Sequence, residues 1–136
     1  MIRLTLALLL LSVVPALAQG SGCADPSTQI GLNECAAADW EEADRALNRA
    51  YQEVIVKMKA VDANVPDYLK GEDGTQSGEA FLREAQLAWI TYRDANCAAA
   101  AFSWRGASAE PLAYYGCLRE MSLARTQELR NLIVAF

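Results

Sequence analysis

The sequence predicts an all-α protein, a three-helix up-down-up bundle held together by two disulfides. Three stretches place apolar residues three and four positions apart, which is the period of an amphipathic helix, and no stretch alternates as a strand would. Two polar segments that contain turn-forming residues separate the three stretches. The chain has 4 cysteines, an even count that suits two bridges in an exported domain.

The beginning of the chain has the pattern of a secretory signal peptide over residues 1–18. Arg3 gives a short positive start, residues 4–14 are mostly apolar, and Ala16-Leu17-Ala18 matches the small-residue cleavage signal. The apolar run is shorter than the roughly 20 residues that span a bilayer. We therefore expect a periplasmic or secreted protein with no membrane span and with a single domain over residues 19–136.

The amino-acid composition excludes several classes of partner and of active site. Without Arg3, 11 basic residues stand against 17 acidic ones, a net charge of −6, which argues against nucleic acid and anionic membranes and favours a cationic partner. The chain has no histidine, so nucleophile systems and zinc sites that need an imidazole are excluded. We predict no cofactor, no metal and no enzymatic activity. A carboxylate-based enzyme acting on cell-wall glycan is the remote alternative.

The first helix is predicted to begin at Asp25-Pro26, an N-cap residue followed by proline in the first turn. Asn64, Pro66 and three glycines then mark a flexible polar connection. The apolar stripe of this long helix consists of Ala36, Trp40, Ala43, Leu47, Tyr51, Val54, Met58 and Val61.

The second helix contains the stretch QLAWITYRDANC, and residues 105–108 break it before a third helix in which Pro111 suits the first turn. We expect each helix to bury one apolar stripe against the other two. On the second helix this stripe is Phe81, Ala85, Ala88, Tyr92, Ala95 and Ala99, widened by Leu82 and Trp89. On the third it is Leu118, Met121, Leu129, Leu132 and Ile133.

The predicted helices place the cysteines at one end of the bundle. Cys97 and Cys117 lie equally far from the turn between the last two helices, and Cys35 lies about 13 Å into the first. Proximity favours a Cys97–Cys117 bridge among the three connectivities, and Cys23–Cys35 then follows by exclusion. The second bridge requires the chain to fold back along the first helix, with a break at Gly31, to bring two α-carbons within about 7 Å.

Charged side chains fall on the apolar faces. Asp44 is level with Arg125 if the first and third helices run parallel, and we expect the two to pair in the core. Arg93 is expected near Glu120 and Met121 on the third helix. Because an unpaired buried ion costs several kcal/mol, we interpret these residues as polar pins that fix helix register and not as an active site.

These residues also carry a family resemblance. The order of motifs resembles the LprI-like lysozyme inhibitor family, small exported bacterial domains, over nearly the whole of residues 19–136. The resemblance implies a helical, disulfide-bonded envelope protein, with lysozyme inhibition assigned to at least one member. The matching residues are Cys35, Asp44, Leu47, Asn48, Tyr51, Leu82, Gln86, Trp89, Tyr92, Arg93, Asp94, Cys97, Cys117, Arg125 and Leu129.

Two functions therefore compete. The first is inhibition of a basic c-type lysozyme through protein–protein binding, to which an acidic rigid domain would be steered. The predicted binding segment is the connection 62–79, whose five acids and one lysine sum to −4, and the turn 105–108 is the alternative site. The second function is a periplasmic binding or scaffold module for another envelope protein, which an exposed apolar patch would favour. The candidate partner-binding residues are Asp67, Glu72, Asp73 and Glu79.

Overall fold

The computed structural model describes residue 23 and residues 26–73 and 75–135. The described part of the chain is helical and contains no strand, which confirms the predicted three-helix bundle. The predicted signal peptide, residues 1–18, lies outside the described residues. The elements in chain order are α1 (Gln29–Asp62), a 3₁₀ turn (Asp67–Leu69), α2 (Gly78–Ala101), a second 3₁₀ turn (Phe102–Trp104) and α3 (Glu110–Ala135).

Side-chain caps fix where α1 and α2 begin. Thr28 accepts a hydrogen bond from the Gly31 amide at 3.1 Å, and Ser77 does the same for the Ala80 amide at 3.1 Å. The predicted start of α1 at Pro26 is therefore wrong, because the capping hydroxyl is that of Thr28. Asp25, the predicted cap, lies outside the described residues.

Both disulfides lie at the end of the bundle where α2 turns into α3. The bridges Cys97–Cys117 and Cys23–Cys35 join α-carbons 5.5 Å and 5.2 Å apart, which confirms both predicted pairings. The expected break at Gly31 is absent, since α1 is continuous through this residue. The missing side chain of Gly31 instead lets Pro26 pack close, because an added Cβ would lie 3.1 Å from Pro26 Cβ.

The core lies mainly between α1 and α3, which make the most extensive contact in the bundle. Alanines on α1 and Ser122 on α3 are small enough for the two backbones to approach closely. Leucines and valines fill the layers between them. The fully buried residues of this layer are Leu47, Val54, Leu118, Ser122 and Leu129.

The predicted buried stripe of α2 is wrong apart from the two residues that widen it, since Leu82 is buried and Trp89 packs against the core. Phe81 and Tyr92 are 54% and 60% exposed, and the alanines of the stripe are exposed as well. The face that α2 buries is rotated from the prediction by about one residue, or 100°. Polar residues occupy that face because they find partners on the other helices. The buried residues of α2 are Leu82, Gln86, Arg93, Cys97 and Ala101.

Candidate functional site

A buried arginine in α2 connects all three helices. Arg93 Nη1 lies 3.0 Å from Asp44 Oδ1 on α1, and Arg93 Nε donates to Asp94 Oδ1 at 2.9 Å. Arg93 Nη1 also lies 3.4 Å from the Ser122 hydroxyl on α3. Only 8% of the Arg93 side chain is exposed, so this cation is removed from water and compensated by two carboxylates. We call Arg93 and these three partners the arginine cluster.

An indole contacts two guanidinium groups beside this cluster. The Trp89 ring has Arg93 Cζ at 5.2 Å from its centroid and Arg125 Cζ at 5.9 Å. Arg125 Nε donates to Gln86 Oε1 at 3.2 Å, and its Nη1 pairs with Glu128 at 2.7 Å. Arginine over an indole is a favourable cation–π arrangement, so Trp89 links the buried face of α2 to α3.

The residues predicted around Asp44 lie where the helical period places them. Asn48 Nδ2 donates to the second oxygen of Asp44 at 3.0 Å, which orients the carboxylate that Arg93 uses. Leu47 is buried in the core and Tyr51 packs against its edge. The structure therefore brings most of the motif residues of α1 and α2 into one contiguous network. Tyr92 is the exception, because it points away from the bundle with 60% exposure.

Two predicted charge relationships are wrong. Asp44 pairs with Arg93, whereas Arg125 contacts Gln86 and Glu128. Glu120 pairs with Arg119 on the surface of α3 and does not reach Arg93. The position of each residue along the bundle axis was predicted well. The direction in which its side chain points from the helix axis was not, and that direction decides the partner.

Two buried polar residues of α3 were not predicted. Ser122 and Thr126 are 0% and 3% exposed, and Thr126 Oγ1 donates to the Ser122 carbonyl at 2.7 Å. They lie between Leu118 and Leu129 on the apolar stripe, at spacings of three and four. That spacing is the sequence signal that identifies them as core positions.

Three of the four predicted partner-binding residues lie in the loop at the end of the bundle opposite the disulfides. Asp67, Glu72 and Asp73 are exposed, and Asp67 pairs with Lys70 at 2.9 Å. Hydrogen bonds from Thr75, first that of its side chain, hold the pKa of Asp73 below its ordinary value. Asp73 therefore keeps its charge at acidic pH, where an ordinary aspartate begins to protonate. We call these three residues the acidic loop.

Glu79 differs from the acidic loop because it belongs to the start of α2. Its carboxylate pairs with Arg83 at 2.6 Å and with Lys59 of α1 at 3.7 Å. The hydrogen bonds that Arg83 donates to Glu79, followed by the charge of that carboxylate, raise the pKa of Arg83. Asp62 adds a second link by accepting from the amides of Gly78 at 2.7 Å and of Glu79 at 2.9 Å. The C-terminal end of the segment predicted to be flexible is thus held by contacts between α1 and the start of α2.

A shallow groove runs beside the turn between α2 and α3. It encloses about 720 Å³, and Asn33 donates to the Ser108 carbonyl across it at 2.9 Å. Glu110 accepts from the Gly106 amide at 2.8 Å and pairs with Arg105 at 3.1 Å, which fixes the turn. The groove is lined by Asn33, Gly106, Ala107, Ser108, Glu110, Pro111, Tyr114 and Tyr115.

The carboxylates of the arginine cluster already have a cationic partner. Asp44 and Asp94 are both engaged by Arg93. Across the described residues, no group of three or more potential metal ligands converges. None of the helices that the structure describes has the length and apolar character needed to cross a membrane.

One family model and one related protein match the chain. The family model described as "Lysozyme inhibitor LprI" matches residues 22–129. An uncharacterized protein of Rhizobium meliloti (strain 1021) is 42% identical over 131 residues, which cover 94% of this chain and 91% of the relative. No solved structure matches the chain.

Proposed function

The chain belongs to the LprI lysozyme inhibitor family, and from that premise we propose that it inhibits a c-type lysozyme by binding it in the bacterial envelope. Inhibitors of this kind act through a surface, and the chain would then need no catalytic group of its own. The family and the two disulfides indicate an extracellular or periplasmic location. Cleavage of residues 1–18 as a signal peptide is part of the same proposal.

The acidic loop is the proposed lysozyme-binding surface. Asp67, Glu72 and Asp73 are exposed on a rigid scaffold, and a basic enzyme would be attracted to them. The family match carries the functional proposal, and the position of these carboxylates supports the choice of surface. Glu79 is less suited to direct binding because its side chain is only 25% exposed and pairs with Arg83 and Lys59, whereas Asp67 stays fully exposed beside Lys70.

Lysis of peptidoglycan by a purified c-type lysozyme tests the proposal directly. Wild-type protein with both disulfides intact should slow lysis in a dose-dependent way. The variant Asp67→Asn/Glu72→Gln/Asp73→Asn should inhibit at least tenfold less well, because it removes three exposed charges and leaves the paired Glu79 in place. Absence of inhibition by the wild type at high micromolar protein and low salt would reject the proposed function.

A matched variant separates the surface from the net charge. Glu34, Asp39 and Glu42 are also exposed, and they lie about 30 Å or more along α1 from the acidic loop. Glu34→Gln/Asp39→Asn/Glu42→Gln changes the net charge equally and should keep most of the inhibition. Equal loss in both variants would show that only overall charge matters. Full inhibition by the loop variant would move the site to the groove beside residues 105–108.

A binding or scaffold module for another envelope protein is the second candidate. The observation that favours it is the exposed apolar side of α2 and the 3₁₀ turn after it, where Tyr92 and Phe102 are 60% and 66% exposed. Retention of an envelope protein by the immobilised wild type, lost when Tyr92→Ala is immobilised instead, would support this candidate. Covering of the same side by a second copy of the chain would remove that support.

We assign the arginine cluster a structural role. Its charged atoms face one another between the helices, and Arg93 is almost wholly buried, so the cluster offers little to a partner. A buried polar network of this kind specifies how helices are aligned, because only one register satisfies all of its members. Loss of stability without specific loss of inhibition in Arg93 variants is the expected signature.

A further inference from the structure

The outward side of α2 is mostly apolar and continues to Phe102 of the second 3₁₀ turn, with the exposed Glu84 and Thr91 as its polar residues. Phe81, Tyr92 and Phe102 are 54%, 60% and 66% exposed, and small residues lie between them. In an isolated helical protein such a side is normally polar. We call the following exposed residues the α2 outer face: Phe81, Ala85, Ala88, Tyr92, Ala95, Ala99 and Phe102.

The α2 outer face reads the same in both directions. Its residue types are Phe, Ala, Ala, Tyr, Ala, Ala and Phe, at alternating spacings of four and three that follow a heptad repeat. A two-fold symmetric contact uses the same patch on both subunits, so the patch must be complementary to itself. An antiparallel pair centred between residues 91 and 92 sets Phe81 of one copy opposite Phe102 of the other, and Ala88 opposite Ala95.

From this symmetry we propose that the α2 outer face binds a second copy of the chain in an antiparallel helix pair. The inference does not depend on lysozyme inhibition. Alanines at four of the seven positions permit the two helices to approach to about 8 Å, the short end of the helix-packing range. In this arrangement Tyr92 packs against alanines of the second copy, and Phe81 packs against the second copy's Phe102.

Charge favours a second copy at this face over other parts of the surface. The whole chain has a net charge of −5, so two copies repel each other across most orientations. The seven residues of the α2 outer face are uncharged, and the exposed Glu84 lies at its border, three residues after Phe81. Antiparallel pairing also aligns the helix dipoles favourably.

The available area predicts a weak but specific dimer. Three aromatic residues that are more than half exposed contribute roughly 100 Å² each, and the alanines raise the total to about 500 Å² per copy. The pair would bury about 1,000 Å², near the lower limit for a biological interface. We therefore expect a dissociation constant in the micromolar range.

Sedimentation equilibrium over a wide concentration range tests the proposal with a charge-exchange design. In the antiparallel pair, positions 88 and 95 face each other, so Ala88→Glu/Ala95→Glu and Ala88→Lys/Ala95→Lys should each weaken dimerisation at least tenfold. Both positions are exposed and both new residues are good helix formers, so folding should be retained. An equimolar mixture of the two variants should restore a dimer, because each Glu then faces a Lys.

A control of equal charge is Ala124→Glu/Gln127→Glu on the exposed side of α3, which should dimerise like the wild type. A wild type that stays monomeric at 500 μM protein would overturn the proposal, and the α2 outer face would then belong to a different protein. A dimer that survives both α2 variants would also overturn it. Failure of the mixture to associate would exclude the antiparallel arrangement on which the argument rests.

Discussion

Arg93 of α2 and Asp44 of α1, 49 residues apart in sequence, form a 3.0 Å ion pair in which the guanidinium is buried and the carboxylate side chain is 33% exposed. Asn48 holds the other oxygen of the carboxylate, and Ser122 lies within 3.4 Å of the same guanidinium nitrogen. This pair spans the contact between the first two helices, which otherwise touch less extensively than α1 and α3. It therefore sets how α2 is rotated on the bundle.

A double-mutant cycle measures this relationship. Arg93→Ala and Asp44→Ala should each lower the free energy of unfolding, and the cycle should give a coupling of about 1 to 2 kcal/mol, as for a hydrogen bond between charged groups that is partly open to water. The same cycle for Asp44 with Arg125 should give a coupling near zero, because those side chains have different partners. Equal couplings in the two cycles would contradict the observed pairing.

The sequence was sufficient to predict the three helices and the pairing of the cysteines. Apolar spacing located three helices, and cysteine positions relative to the turns favoured the observed bridges. These features depend on position along a helix, which residue spacing encodes directly.

Rotation about the helix axis was not predictable in α2. Its two sides carry similar apolar patterns one residue apart, and composition favoured the side with more alanines. The correct side contains Gln86 and Arg93, whose burial becomes acceptable only when partners such as Asp44 are provided by other helices. Spacing within one helix contains no information about those partners.

Neighbouring aromatic residues of α2 should respond differently to truncation. Trp89→Ala should lower the free energy of unfolding by about 3 kcal/mol, because the half-buried indole packs against the core and two guanidinium groups. Tyr92→Ala should change it by less than about 0.5 kcal/mol, since the phenol is largely exposed. Urea unfolding at submicromolar protein, below the dissociation constant expected for the dimer, measures both. A larger effect of Tyr92→Ala would contradict the outward orientation of that side chain.

Removal of the bridge between α2 and α3 should be costly. Cys97→Ala/Cys117→Ala opens a link between residues 20 apart, which corresponds to about 3 kcal/mol of lost stability from loop closure. Thermal unfolding followed by circular dichroism should show a lower midpoint with helical content retained at 20 °C. Thiol titration of the denatured, unreduced wild type should find no reactive cysteine. Two or more reactive thiols would contradict the disulfide assignment.

Two glycines provide a matched pair of backbone substitutions. Gly116 lies within α3, and an added Cβ would meet no atom within 4 Å, so Gly116→Ala should stabilise the protein by about 0.5 to 1 kcal/mol. Gly106 has a φ of 79°, so Gly106→Ala should destabilise by about 1 kcal/mol through backbone strain in the turn before α3. Unfolding free energies of opposite sign are expected, and equal signs would contradict the local geometry.

Salt should weaken lysozyme inhibition if the acidic loop steers the complex. Screening shortens the reach of exposed charges from about 30 Å at 0.01 M salt to about 8 Å at 0.15 M, so fewer encounters are guided to the surface. The protein concentration for half-maximal inhibition should rise about tenfold over this range, a change typical of association rates between charged proteins. Each value is normalised to uninhibited lysis at the same salt, because lysozyme activity itself depends on ionic strength.

The acidic-loop variant should show a shallower salt dependence than the Glu34→Gln/Asp39→Asn/Glu42→Gln control. The two variants carry the same net charge, so a difference between their slopes reports the local field at Asp67, Glu72 and Asp73 and not the total charge. Inhibition that is strong yet independent of salt would show that shape complementarity alone drives binding. In that case the groove beside residues 105–108, with its tyrosine and proline lining, becomes the surface to mutate next.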